Sequence, residues 1–310
     1  MREVPRHLKG RDFTRVAAWR PEEILTVLDL ADDLKALERR REEQPLLPGR
    51  ALAMIFEKPS TRTRVSFEVG IAQLGGFALN LRSDELQLGR GETIRDTASV
   101  LSRYVDAIMI RTFAQDDVEQ LARHASVPVI NGLTDATHPC QALADVMTIR
   151  ERLGRLEGVR VTYLGDGNNV CVSLLTAAAK LGMHFRAATP PGYKPPADAV
   201  EAVRAEAGTV ELLADPQEAA RGADVLYTDV WTSMGQEDER ERRLHDLAGY
   251  RIDDELVRLA SEGAIVLHCL PAHYGEEITE DVLHGPQSAV WDQAENRLHA
   301  QKALLALVVR

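Results

Sequence analysis

Short apolar runs alternate, over the whole chain, with longer segments whose apolar residues recur every three or four positions. The runs at 51–56, 77–81, 107–111 and 127–130 predict one series of strands separated by helical segments. A second series is predicted at 159–164, 184–188, 209–213, 224–227 and 264–267. The first helix opens at Pro21-Glu22-Glu23, and Ile24, Val27, Leu28, Ala31 and Leu34 form its apolar stripe. A long amphipathic segment from His138 to about Leu153 joins the two series, and residues 294–310 predict a final helix. Residues 190–196, rich in proline, predict a loop. Such alternation implies parallel sheets covered by helices on both faces. The expected fold is therefore α/β: two doubly wound parallel-sheet domains with an active-site cleft between them, linked by the long helix and the C-terminal helix. The expected boundaries are 1–137 (with about 294–310) for the first domain and 138–293 for the second.

Open α/β sheets bind ligands beyond the carboxyl ends of their strands. That rule gathers the unusual polar residues. Arg111 closes the run at 107–111, and His138 follows the strand at 127–130. Asp166 to Asn169 follow the strand at 159–164, Asp229 follows 224–227, and Cys269 follows 264–267. The stretch Ser60-Thr61-Arg62-Thr63-Arg64 lies where the strand at 51–56 passes into a helix bearing Phe67, Ile71 and Leu74. A helix start has N–H groups without intrahelical partners and a dipole that favours negative charge. Hydroxyls and a forked guanidinium there suit a phosphate, although a polar capped turn would look the same.

Charge and composition narrow the function. The 310-residue chain has a net charge of −11, which argues against nonspecific nucleic-acid binding. Its three cysteines, Cys140, Cys171 and Cys269, form no CxxC pair, so neither a disulfide framework nor a zinc ribbon is indicated. No apolar run approaches bilayer length and the first residues have no apolar h-region, so a soluble cytoplasmic protein is expected.

The remaining motifs are weak one by one. His138-Pro139-Cys140-Gln141 puts proline at a helix start, with His138 and Gln141 close together on the first turn. Alone, it also fits a helix cap beside a surface glutamine. Gly165-Asp166-Gly167 lacks a third glycine, because Val170 stands there, and the next strand lacks the acidic ribose ligand. A nicotinamide cofactor is therefore not expected, and no P-loop sequence is present. The same strand-turn-helix can present Asn168 or Asn169. Asp229 precedes a Ser233-Met234-Gly235 loop, which also fits an ordinary connection. His268 and His273 flank Cys269, but no carboxylate or further thiol stands at ligand spacing, so no metal is expected.

Together these motifs are specific. SxRT followed by HPxQ resembles the carbamoyltransferase family, end to end, and DVWxSMG followed by HCLP resembles its ornithine branch. The ending Val290-Trp291-Asp292-Gln293-Ala294-Glu295-Asn296-Arg297 is similar to that family's as well. The resemblance implies that Ser60, Thr61, Arg62 and Thr63 hold the phosphate of carbamoyl phosphate, with Arg111 bridging phosphate and carbonyl. It implies that His138, Gln141 and Arg297 orient and polarise the carbamoyl group. Asn169, Asp229, Ser233 and Met234 would bind the α-amino and α-carboxylate end of L-ornithine, with Cys269 and the carbonyl of Leu270 near its δ-amine. Arg111, His138, Cys269 and Arg297 would be the catalytic group. The implied assembly is a homotrimer, or a multiple of trimers, in which residues 84–92, Gln87 foremost, complete a neighbour's site. No cofactor is implied. The reaction implied is carbamoyl transfer from carbamoyl phosphate to the δ-amine, giving citrulline and phosphate. Two alternatives stay open: a carbamoyltransferase acting on acetylornithine or putrescine, and a non-catalytic binding protein on the same fold.

Overall fold

The structure is a computed structural model that describes residues 6–82, 91–233, 235 and 237–309. The chain divides into two compact units, one of residues 1–144 and 296–310, the other of residues 145–295.

In the first unit α1 (Pro21–Arg39) leads into β1 (Ala51–Phe56), α2 (Thr61–Gln73), β2 (Phe77–Arg82), α3 (Ile94–Leu101), β3 (Ala107–Arg111), α4 (Gln115–His124) and β4 (Val129–Leu133). The strands form one sheet in the order β2-β1-β3-β4, with every pairing parallel. Ala53, Ile55, Ile108, Ile110 and Val129 face a core closed by Val118 and Leu121 of α4. Full burial of such a side chain stabilises the fold by about 1.5–3 kcal/mol. The order reverses between β1 and β3, whose last residues, Phe56 and Arg111, are paired. Parallel α/β sheets open a crevice at such a reversal. The segment after β1 and the side chain of Arg111 are therefore delivered to one place. Strand β4 extends past the expected 127–130 through Asn131 and Gly132, a pair that in sequence resembles a turn. A Cβ on Gly132 would lie 2.6 Å from Met109 Sδ and 3.2 Å from the Ile110 carbonyl oxygen, so a side chain here would have to displace the buried Met109 thioether of β3.

Helix α5 (Pro139–Leu153) carries the chain into the second unit. There follow β5 (Arg160–Leu164), α6 (Asn169–Lys180), β6 (His184–Ala188), α7 (Ala197–Ala205), β7 (Thr209–Leu213), α8 (Pro216–Ala220) and β8 (Val225–Thr228). Then come α9 (Arg240–Leu247), α10 (Asp254–Val257), β9 (Ile265–His268), α11 (Glu280–Leu283) and α12 (Val290–Val308). Residues 190–196 contain no helix or strand, as the prolines predict. The second sheet runs β7-β6-β5-β8-β9, again wholly parallel, and reverses between β5 and β8. Leu164, Leu226, Trp231, Val266, Ile278 and Val290 belong to its core. The expectation of two parallel α/β domains is borne out. The last helix begins at Val290, not at the expected 294, because Ser288 Oγ accepts from the Val290 N–H and Ala289 O accepts from Gln293.

Candidate active site

In the first unit Ser60 is the N-cap of α2, and its hydroxyl accepts from the Thr63 N–H at 3.2 Å. A cap of this kind fixes the first turn, and Thr61 and Arg62 are exposed on it while Thr63 is buried. Arg111, at the end of β3, donates from Nη1 to Thr63 Oγ1 at 3.5 Å. His138 stands immediately before Pro139, the first residue of α5, and its carbonyl accepts from the N–H of Gln141 and of Ala142. Arg297 of α12 gathers the group. Its Nη2 donates to Thr63 Oγ1 at 3.0 Å, its Nη1 to Gln141 Oε1 at 2.7 Å, and its Nε to Gln301 Oε1 at 3.1 Å. Nη1 also faces His138 Nε2 at 3.4 Å.

A guanidinium has donors only, so the imidazole nitrogen facing Arg297 is the acceptor and the proton sits on Nδ1. Burial, then the charges of Arg297, Arg111 and Arg62, hold the His138 pKa well below the usual histidine range. His138 is therefore a neutral imidazole among three guanidiniums. Burial likewise pushes the Cys140 thiol up to about 12, which makes it a packing residue and no nucleophile. Gln301 Nε2 donates to Ser66 Oγ at 2.8 Å, and Lys302 Nζ to Gln73 Oε1 at 2.7 Å, so α12 is keyed along α2.

In the second unit three strand ends converge. Asp229 follows β8, and both its oxygens are engaged: Oδ1 accepts from Cys269 Sγ at 2.7 Å and Oδ2 from Asn168 Nδ2 at 2.8 Å. Asn168 is the N-cap of α6, its Oδ1 taking the N–H groups of Val170 and Cys171 and the hydroxyl of Tyr163. The strand-turn-helix pattern left Asn168 and Asn169 open and the family resemblance implied Asn169; the contact with Asp229 belongs to Asn168, while Asn169 is the first residue of the helix itself. The sequence spacing around Cys269 lacks a carboxylate ligand, yet Asp229 supplies one in space, with the ligand atoms of Asp229, His268 and Cys269 all within 4.8 Å. His273, Glu276 and Glu277 form a second such group.

His268 organises the turn after β9. Its Nδ1 accepts from the Leu270 N–H at 2.8 Å and its Nε2 meets Glu277 Oε1 at 3.1 Å, which places the proton on Nε2. Leu270 has φ +60°, a left-handed conformation that costs a non-glycine residue on the order of 1 kcal/mol and persists only under outside restraint.

Arg243 of α9 reaches across two loops. Nη2 pairs with Asp166, Nε donates to the Trp231 carbonyl at 2.6 Å, and the guanidinium lies 5.0 Å from the Tyr193 ring. Burial raises the Asp166 pKa to about 6; Asp229 adds to the shift and Arg243 opposes it. The loop that Arg243 holds at Trp231 continues to Ser233 and Gly235, the latter at φ +91° where glycine is favoured.

The arrangement meets known proteins at this point. Residues 11–151 match the carbamoyl-P binding domain of the aspartate/ornithine carbamoyltransferases, and residues 157–308 match their Asp/Orn binding domain. The chain belongs to the aspartate/ornithine carbamoyltransferase family. It is 56% identical to the ornithine carbamoyltransferase of Pyrococcus horikoshii, over 97% of this chain and 96% of that protein. The solved ornithine carbamoyltransferase of Pyrococcus furiosus superposes with a TM-score of 0.94 at 55% identity, covering 97% of this chain and 98% of the other. That of Thermus thermophilus gives 0.88 at 45% identity, covering 96% and 99%.

For a carbamoyltransferase, the residues expected from sequence fall into two groups. Thr63, Arg111, His138, Gln141 and Arg297 come together in the first unit, beside Ser60, Thr61 and Arg62 at the start of α2. Asp229 and Cys269 come together in the second, with Leu270 next in the chain, Asn169 at the start of α6 and Ser233 half-buried ahead of Gly235. Gln87 and Met234 lie outside the described residues. Sequence reasoning missed Arg243, Gln293 and Gln301. Arg243 hides in the charged run Arg240-Glu241-Arg242-Arg243, which resembles a solvated face, yet it is only 5% exposed.

Proposed function

We propose that the protein is an ornithine carbamoyltransferase that makes citrulline and phosphate from carbamoyl phosphate and L-ornithine. The observation that carries this reading is the bond between Cys269 and Asp229, which joins the two motifs of the ornithine branch in one site. In the proposed division of labour the first unit binds carbamoyl phosphate. Ser60, Thr61, Arg62 and Thr63 take the phosphate at the N-terminus of α2, where dipole and N–H groups favour an anion. Arg111 spans phosphate and carbonyl, while His138, Gln141 and Arg297 hold the carbamoyl oxygen and amide. In the second unit Asp229 pairs with the α-ammonium of ornithine, Asn169, Ser233 and Met234 complete that end, and Cys269 with the Leu270 carbonyl receives the δ-amine.

The neutral δ-amine attacks the carbonyl carbon. A C–N bond forms, the C–O bond to phosphate breaks, the electron pair leaves with phosphate, and the proton lost by the amine ends on that phosphate. Negative charge develops on the carbonyl oxygen, and fixed donors from Arg111, Arg297 and Thr63 stabilise it without reorganisation. A neutral His138 fits this task as an Nδ1–H imidazole among cations that would repel a second charge. Joining two oriented substrates supplies much of the remaining rate.

Colorimetric assay of citrulline with carbamoyl phosphate and ornithine, acetylornithine, putrescine or aspartate in turn tests the reading. Carbamoylation of ornithine alone is the expected result. Faster use of acetylornithine or putrescine would move the protein to the neighbouring specificity. Carbamoyl phosphate binding without turnover of any amine would leave a binding protein.

The working assembly is proposed to be a homotrimer. Val65 and Val69 of α2, with Phe77 and Leu79 of the edge strand β2, present exposed apolar side chains just ahead of residues 84–92. Apolar faces of that kind mark interfaces, and closed symmetry suits a site completed by Gln87 of a neighbour. Mixing Arg111→Ala with Gln87→Ala subunits then yields some sites with neither lesion, so partial recovery of activity is expected. No recovery despite demonstrated subunit exchange would refute the shared site. A cytoplasmic setting is proposed on the three free thiols; among the described residues no helix is long and apolar enough to cross a membrane.

A further inference from the structure

The turn that bears Cys269 is held from behind as well as from the front. The His268 N–H, at the carboxyl end of β9, donates to Gln293 Oε1 at 2.9 Å. Gln293 Nε2 in turn donates to Asp145 Oδ1 at 2.7 Å and to Tyr227 Oη at 3.1 Å. The Tyr227 hydroxyl faces both oxygens of Asp145 at 3.3 Å. Gln293, Asp145, Tyr227 and His268 are each at most 1% exposed, so these bonds are screened from bulk solvent. Tyr227 also stacks on Tyr163, 5.5 Å between ring centroids, and Tyr163 donates to Asn168, the partner of Asp229. One buried network therefore reaches Cys269 from the β9 side and Asp229 from the β5 side.

We propose that Gln293 is a positioning residue for the ornithine half-site, a clamp that sets the His268 backbone and through it the Cys269 thiol and the Leu270 carbonyl. The proposal rests on the ornithine reading of that site. Its logic is geometric. The segment from His268 to Leu270 is fixed at two N–H groups, one by Gln293 and one by the His268 imidazole, and these restraints hold Leu270 at φ +60°. Gln293 is suited to the first restraint because its amide accepts and donates at once. A carbonyl oxygen is needed for the His268 N–H, and N–H donors are needed for Asp145 and Tyr227. Leucine of similar size supplies neither. It would leave the His268 N–H unpaired and the Asp145 carboxylate short of a donor, and groups so buried must then shift to find partners.

Gln293→Leu is expected to lower kcat/KM for ornithine by about tenfold or more, while carbamoyl phosphate affinity, read by calorimetry, changes less than about twofold. It is also expected to speed alkylation of Cys269 by iodoacetamide several-fold, since a loosened turn releases the thiol from Asp229. Cys140 and Cys171 are buried and do not compete. Gln293→Glu restores the clamp only while its carboxyl is protonated, with C=O accepting from His268 and O–H donating to Asp145. Two carboxyls in contact cannot both ionise readily, so one pKa rises. The activity of this variant relative to the parent is therefore high at low pH and falls as pH rises through that raised value. A structural lesion alone would give a ratio that does not vary with pH. Should Gln293→Leu fold poorly, the Gln293→Glu profile decides by itself. Equal losses for both substrates, a flat Gln293→Glu ratio, or alkylation at the parental rate would each overturn the proposal. Failure of the parent to make citrulline would overturn the ornithine reading instead, and the alkylation rates would still test the clamp.

Discussion

Replacing Arg297 with methionine is expected to lower kcat for citrulline formation by about 10²–10³, the range for loss of one preorganised oxyanion donor. The side chain is buried and donates to Thr63 of α2, Gln141 of α5 and Gln301 of its own helix at once, so it ties α2 and α5 to α12 around the proposed carbamoyl site. Methionine keeps much of the apolar stem and removes every donor. Arg297→Lys separates charge from shape. An ammonium restores the positive charge but cannot reach Thr63 and Gln141 in one plane, so it is expected to recover only a small part of the loss. Steady-state kcat at saturating substrates checks both variants, with thermal unfolding as a control for folding. Retention of more than about a tenth of the parental kcat by Arg297→Met would remove Arg297 from the reacting group.

Arg297 also marks the limit of what the sequence discloses. The strand ends were legible because apolar runs stop just ahead of them: Arg111 follows Ile110, Asp229 stands two residues after Tyr227, and Cys269 two residues after Leu267. The start of α2 was legible because Ser60 is a cap with local geometry, its hydroxyl reaching only three residues ahead. The order of the strands was not. Nothing local tells β1 to pair with β3, or β5 with β8, and those pairings place the candidate sites. The partners of Arg297 lie 156 and 234 positions away, at Gln141 and Thr63. Helix α12 conceals its role for a related reason. Gln293, Asn296, Arg297, Gln301 and Lys302 make it polar in sequence, as a solvated helix would be, yet all five are buried. A polar residue inside a core is bound by long-range partners, and single-sequence periodicity carries no record of them.

In the proposed division of labour the two sheets take different substrates, and Asp229 is the residue whose replacement separates them. Its oxygens are held by Cys269 Sγ and Asn168 Nδ2, so the carboxylate is fixed in position before any substrate arrives. In the proposed complex it faces the α-ammonium of ornithine. An amide at this position removes the charge and can accept through only one atom, so with Asn168 still donating to its oxygen the Cys269 contact is left with at best a weak N–H···S bond of reversed direction. Loss of one partner from a buried charged pair costs about 2–5 kcal/mol, or roughly thirtyfold and upward at 1.4 kcal/mol per decade. Asp229→Asn is therefore expected to lower kcat/KM for ornithine by at least that factor. Carbamoyl phosphate affinity, measured directly by calorimetry, is expected to stay near the parental value, because Arg62, Arg111 and Arg297 are unchanged. Asp229→Glu keeps the charge but advances it by one methylene, which tests position against charge; recovery close to parental activity would make charge the larger factor. Acetylornithine supplies the reciprocal test, since acetylation neutralises the α-amine from the substrate side. The variant and the modified substrate should then fail together, without a further loss when combined, because each removes the same interaction. If Asp229→Asn abolishes carbamoyl phosphate binding and spares ornithine, the assignment of the two substrates to the two sheets is reversed.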